Sequence, residues 1–375
     1  MNSILNEVAM LRKGRALVVD RSNKNRYRLV THEGDGSKTA YYFSVPIYNE
    51  VSRKLLDLKF HNQGNIPNSI GSNSNIELGN SVLLENYQGS CQVTMPKGYR
   101  FQHEQCVSYQ GVEVVPTTNG IAMKVDLDAK KNYCFRLKID RSFCQIRSNN
   151  KYFALMSEKF KPFLTVSCIG SLYQNGGLFA PAEIQYQKIS DREFEIKVHS
   201  NSAYAKQILF EVNLQEKKLF QDTTVESKNP KQNNAFGGTA FIGNSTAYGE
   251  QWLYSRPDFS ILNDLLGHSI KKAALYIPIL YRNDIQLMTV GLKTRFCSFG
   301  STWNNKKPGS QKTNLSENVS GYHKINLTDM IIKNQRLLTT SEGWIMKSAV
   351  KNSGFSAIST GDSFYAPQIL EVTFK

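Results

Sequence analysis

Trp252, Tyr254 and Arg256 alternate in the stretch Gln251-Trp252-Leu253-Tyr254-Ser255-Arg256-Pro257. In an extended strand every second side chain points to the same face, so the three stand in one row. Two aromatic rings and a guanidinium on one face make a platform for an acidic sugar: a ring stacks on the apolar face of the sugar, and the guanidinium takes a carboxylate through paired hydrogen bonds. Trp303, in Ser301-Thr302-Trp303-Asn304-Asn305-Lys306-Lys307-Pro308-Gly309, offers a further indole of the same use. The same residue types also fill an inner face around a buried, paired arginine, or plug the end of a β-structure, and these alternatives stay open. Trp344 lies in the alternating stretch Gly343-Trp344-Ile345-Met346-Lys347 and reads as core.

Common catalytic signatures are missing: there is no G-x-S-x-G, no P-loop and no H-E-x-x-H. His32, His61, His103, His199, His268 and His323 are scattered without metal-site spacing and read as surface or locally bonded residues. Cys91, Cys106, Cys134, Cys144, Cys168 and Cys297 form no C-x-x-C pair, so neither a metal nor any other cofactor is expected. Most sit in apolar, strand-like text, which predicts buried thiols, while their even number keeps disulfide pairing open. Asp258, Asp264 and Asp362 lie in loop-like text. A carboxylate pair across a cleft would hydrolyse glycosides, but such residues equally shape Asx turns, and a non-enzymatic protein is the expectation.

The chain of 375 residues carries 46 Lys+Arg against 31 Asp+Glu, a formal net charge of +15. From Glu216 onward there are 19 Lys+Arg and 12 Asp+Glu, a net of +7, which leaves +8 for the residues before it. Basicity is thus spread evenly, with no run beyond two residues, so no specific nucleic-acid partner is expected. A diffuse positive field attracts anionic surfaces such as acidic polysaccharides, teichoic acids or phospholipid headgroups, in a salt-sensitive way. The longest apolar run, Ala273 to Leu280, is far below the ~20 residues of a spanning helix and contains Pro278, so no membrane insertion is expected.

Short stretches rich in β-branched and aromatic residues dominate, among them YRLVTH, NYCFRLKI, FLTVSCIG, EFEIKVHS, ILFEVNLQ, ALYIPILY, YHKINL and ILEVTFK. Between them lie Gly, Asn and Pro clusters such as HEGDGSK, NQGNIPNSIGSNSN and NNKKPGSQ. That pattern predicts an all-β chain built of tandem β-sandwich or jelly-roll domains. Helical periodicity is confined to SILNEVAMLRKG at the start and TDMIIKNQRLL at 328–338, where Thr328 is placed to cap. The expected division is a β-rich attachment or assembly domain over 1–115, a middle sandwich-like domain over 116–218, and a C-terminal module over 219–375.

From about Asp222 onward the pieces DTTVESKNPKQNNAFGG, LYSRPDFSIL, IKKAALYIPIL, STWNNKKPG, YHKINLTDMI, GWIMK and YAPQILEVTFK follow one another in an order that resembles the DNRLRE-type β-sandwich modules of bacterial surface and secreted proteins. The resemblance covers about 150 residues. Some members are classed as carbohydrate-binding modules, so it implies a jelly-roll fold and a sugar ligand. The chain departs from the family at Pro257, where an aromatic residue is usual, and it lacks the namesake motif as written.

Together these readings predict a non-enzymatic surface-binding protein whose partner is a bacterial envelope polysaccharide, with Trp252, Tyr254, Arg256 and Trp303 as the carbohydrate-binding residues. The N-terminal text MNSILNEVAMLRKGR does not read as a secretory signal. Synthesis in the cytoplasm without a signal peptide, then action on a virion, phage tail, contractile injection particle or cell surface, is the expected setting, with other particle subunits or a homo-oligomer as further partners. Two other readings stay open: a structural assembly subunit that uses the same sheets for protein contacts, and a polysaccharide-degrading enzyme.

Overall fold

The computed structural model describes the chain except for residues 1, 24, 49–52, 56–83, 88–89, 96–98, 104–111, 117–119, 127–131, 139–142, 173–178, 181, 201–206, 215–218, 258–262, 335–341, 352–353 and 364–365. The NQGNIPNSIGSNSN loop, His61, Cys106 and Asp258 therefore lie outside the described residues. Strands hold 53% of the chain and helices 7%, and every named pairing is antiparallel, so the fold class is all-β.

The chain divides into two compact units. One comprises Met1–Gln63, Lys218–Ala235 and Ala240–Lys375, and the other Gly64–Lys217 with Phe236–Thr239. This differs from three consecutive blocks: residues 1–63 join the C-terminal segment, and residues 116–120 link two strands paired with each other, Val112–Pro116 and Gly120–Asp126. The difference arises from a strand pairing between residues more than 300 positions apart, which local turn chemistry does not report.

In the unit that begins at Gly64, six- and seven-stranded antiparallel sheets are built from short alternating segments. Phe153, on Tyr152–Met156 of the larger sheet, meets Phe194 on Glu193–Ser200 of the other in an edge-to-face contact at 5.0 Å. Such aromatic pairs fill the space between sheets with large apolar area and favourable quadrupole geometry.

Among the described residues the other unit holds thirteen strands: β1 (Val18–Val19), β2 (Arg28–His32), β3 (Lys38–Phe43), β4 (Phe220–Glu226), β5 (Thr239–Ser245), β6 (Gly249–Pro257), β7 (Ile270–Asn283), β8 (Leu287–Leu292), β9 (Gly309–Val319), β10 (Tyr322–Asn326), β11 (Trp344–Ser348), β12 (Phe355–Ser359) and β13 (Ile369–Phe374). Eight of them pair in a closed ring, β7-β10-β9-β8-β11-β6-β5-β12 and back to β7. Closure removes the open edges that a flat sheet would leave to aggregation. The two longest strands turn the corners: β7 pairs with β10 and β13 in its first half and with β12 after Ile279, while β9 passes from β8 to β10 near Ser316. Pro278, which has no N–H to give a ladder, falls where β7 changes partners.

Alternation in β7 explains its two-sided burial. Ala273, Leu275 and Ile277 enter the main core with Leu253, Trp344 and Met346, whereas Ala274 and Tyr276 face outward. That outer face is covered by helix α1 (Ser3–Leu11), whose Ile4, Val8 and Leu11 are buried against Tyr41, Phe43 and Tyr322. Asn2 caps the helix by accepting from the Ile4 N–H at 3.0 Å. Nine residues are too few for a stable isolated helix, and burial of these side chains, at roughly 2 kcal/mol each, is what holds it. Helix α2 (Thr328–Asn334) is capped by Asn326, while the Thr328 hydroxyl donates to the Ala273 carbonyl and accepts from its N–H, tying the helix to β7.

Candidate functional site

Strand β6 presents opposite characters on its two faces. Leu253 enters the main core, and Gln251 and Ser255 are fully buried on the same side. Trp252, Tyr254 and Arg256 take the other side, as the alternation requires. That side is roofed by the loop between β8 and β9. Phe296 from the loop packs with Tyr254, Val225, Leu292 and Ile345, making a small second cluster against which Trp252 and Trp303 rest half-buried.

The loop is held by specific bonds. Asn233 Nδ2 donates to the carbonyls of Ser298 and Ser301 at 2.6 and 2.8 Å. The Asn304 N–H reaches the Pro230 carbonyl at 3.1 Å, and Asn305 braces the turn through Thr302 N–H and the Gly300 carbonyl. Rigidity of this kind lowers the entropy cost of holding a ligand.

Trp303 and Trp252 come together with ring centroids 5.2 Å apart and planes at 56°, an angled notch of two indoles. Lys306 Nζ lies 4.1 Å from the Trp303 ring centroid and 5.7 Å from that of Trp252, and Lys347 Nζ is 5.1 Å from Trp252. Glu250 fixes the Trp252 indole by accepting from its Nε1–H at 2.8 Å. Two ammonium groups beside the rings attract anions, while the rings keep apolar area for a sugar face.

The four expected residues are therefore placed unequally. Trp252 and Trp303 share the notch. Tyr254 has no exposed surface and serves as floor; burial pushes its phenol up to about 12. It therefore cannot stack on a ligand, because the loop carrying Phe296 covers its ring at 5.6 Å. Arg256 stands about 13 Å along the strand from Trp252 and bonds Gln221 through its guanidinium. The cations at the indoles are instead Lys306 and Lys347, which the row Trp252, Tyr254, Arg256 did not include. Lys306 was within reach of sequence reasoning, three residues beyond Trp303, whereas Lys347 arrives only through the pairing of β6 with β11.

Of the other singled-out residues, Trp344 is buried in the main core beside Phe220. Asp362 is buried, and Asp264 lies in a short 3₁₀ turn, Asn263–Leu265. His323 is fully buried and bonded, with Ser316 at 3.2 Å and Ser356 at 3.0 Å, which is the second of the two expectations, surface or locally bonded. Cys168 is buried and burial raises its thiol pKa, but Cys144 and Cys297 are exposed, contrary to the expectation of buried thiols; all three are thiols and not disulfides. Cys297 sits in the roofing loop, where strand burial does not extend. Among the described residues no cluster of three His, Cys, Asp or Glu side chains is placed to hold a metal ion.

No family model matches the chain, and no curated protein matches it in sequence.

Proposed function

We propose that the protein binds an acidic saccharide without transforming it, and that the Trp252–Trp303 notch is the contact site. The observation that carries this reading is the pairing of two half-buried indoles with Lys306 and Lys347 on a braced loop. An apolar sugar face covers an indole, and a carboxylate or phosphate on the same sugar meets an ammonium. On this reading each unit is a β-sandwich, the one with the ring of eight strands being the carbohydrate-binding, jelly-roll module. The ligand is then an envelope polysaccharide of bacteria, and the setting is a cell surface or a particle such as a phage tail that attaches to one.

The test is titration of the full chain with neutral and anionic envelope polysaccharides. The expected result is saturable binding to an anionic polymer, with quenching or shift of the Trp252 and Trp303 emission. Binding that leaves the emission unchanged, or no binding to any acidic polymer, contradicts the proposal.

A further inference from the structure

A second feature lies on the outer face of the same unit, where the C-terminal turn of α1 meets strands β2, β3, β7, β10 and β13. The side chains there line a cleft of about 620 Å³. Its walls carry six cations and three carboxylates, a net of +3, in a chain whose charge is otherwise spread evenly along the sequence.

Each carboxylate is already engaged. Glu33 receives Arg12 at both oxygens, with Nη1 to Oε1 at 2.5 Å and Nη2 to Oε2 at 3.0 Å. Asp35 accepts from Lys271 Nζ at 2.8 Å. Glu371, buried at the floor, accepts from the Tyr276 hydroxyl at 3.0 Å and lies 3.5 Å from Lys272 Nζ. Three cations make no ion pair among the described residues: Lys13, Arg15 and Lys324, the last standing across from Glu317 in the pairing of β9 with β10. Lys324 sits half-buried over the Tyr276 ring at 5.8 Å, and Lys13 and Arg15 are exposed.

A helix C-terminus alone would account for one basic residue, since cations there complement the macrodipole. It does not account for Lys324, which comes from β10 and not from the helix. Buried aromatic side chains of Tyr41 and Tyr276 form a low-dielectric floor, and such walls concentrate the field of a one-signed cleft. The geometry points to this cleft as a binding site, separate from the indole notch, for a ligand that carries two or more phosphate or carboxylate groups. Two charges on the ligand suit this lining because Lys13 with Arg15 and Lys324 come from different elements, the end of α1 and β10.

The test uses calorimetric titration of the full chain with inorganic tripolyphosphate and, in parallel, with trigalacturonate. Three variants accompany it: Lys13→Gln/Arg15→Gln at the cleft, Lys159→Gln/Lys161→Gln as an exposed pair elsewhere that removes the same charge, and Trp303→Ala. Binding of either probe, weakened about tenfold by the cleft pair and less than about twofold by the other two variants, is the expected result. Tripolyphosphate alone would assign the site to phosphates, and trigalacturonate alone to carboxylates. Equal losses for the two lysine-arginine and lysine pairs would reduce the effect to net charge, and loss in Trp303→Ala would move it to the notch. Either of those, or no binding of either probe, overturns the inference.

Discussion

The phenolic hydroxyl of Tyr254 donates to the carbonyl of Lys307 at 2.9 Å, and this bond ties the loop that bears Trp303 and Lys306 to the strand that bears Trp252. A buried ring thus acts on the notch from below. Replacing Tyr254 with Phe removes the bond while keeping the ring, and leaves the Lys307 carbonyl without that donor. The expected stability loss is about 1 kcal/mol in urea unfolding. Saccharide affinity falls as well, because the loop no longer starts in its bound position. A variant of unchanged affinity would show that the loop is held by its other bonds alone.

Lys306 and Lys347 supply the charge at the indoles, so they separate anionic from neutral ligands. Lys306→Gln and Lys347→Gln should each weaken binding of an anionic polysaccharide by roughly twofold to fivefold, in line with about 0.5–1 kcal/mol for an exposed ion contact. Binding of a neutral polymer, measured in the same titration series, should hardly change. Equal losses for both polymers would mean that the lysines act by shaping the notch.

His323 gives the closed ring a signed dependence on pH. Burial lowers its pKa from 6.5 to about 4, so the folded protein resists a proton that the unfolded chain accepts. Its contribution is complete above pH 6.5 and is lost as pH falls from there toward 4, by roughly 3 kcal/mol over the window. In His323→Gln, which keeps a neutral polar group between Ser316 and Ser356, chemical denaturation should show a shallower decline over the same window. An identical slope would remove His323 from the account.

Glu7 has the opposite sign. It lies on the buried face of α1, and burial raises its pKa above 4.5 despite the hydrogen bond from the Tyr322 hydroxyl. Below pH 4.5 both states are protonated and nothing is lost. As pH rises beyond that, the unfolded chain ionises first and stability falls until the folded-state pKa is passed. Glu7→Gln should therefore raise the melting temperature at pH 8 and leave it nearly unchanged at pH 4. A lower melting temperature at pH 8 would mean that Glu7 is ionised and partnered in the folded protein.

The strands were legible because stretches such as YHKINL and ILEVTFK are short, rich in β-branched and aromatic residues and set between turn clusters. What such text omits is the partner. Nothing local in Lys38–Phe43 indicates that it pairs with Ile369–Phe374, and so the first 63 residues read as part of a separate N-terminal block. At the notch, residue type and spacing pointed to Trp252 and Trp303 singly. Their meeting depends on Asn233, which fixes the loop from 65 residues upstream, and on Phe296, which closes over Tyr254. Arg256 followed the same alternation rule as Trp252, yet a strand spreads i and i+4 about 13 Å apart, too far for one small sugar. The cleft of Lys13, Arg15 and Lys324 left no local trace, because its walls come from segments about 300 residues apart.

The most direct measurement is a calorimetric titration of the full chain and of Trp303→Ala with the anionic polysaccharide that binds most tightly, at about 0.5 M salt, where screening acts beyond about 4 Å. The full chain should still bind saturably, and Trp303→Ala, folded, should lose at least about tenfold in affinity. Binding that vanishes with salt in both proteins, or survives equally in both, would contradict a shaped saccharide site at the two indoles.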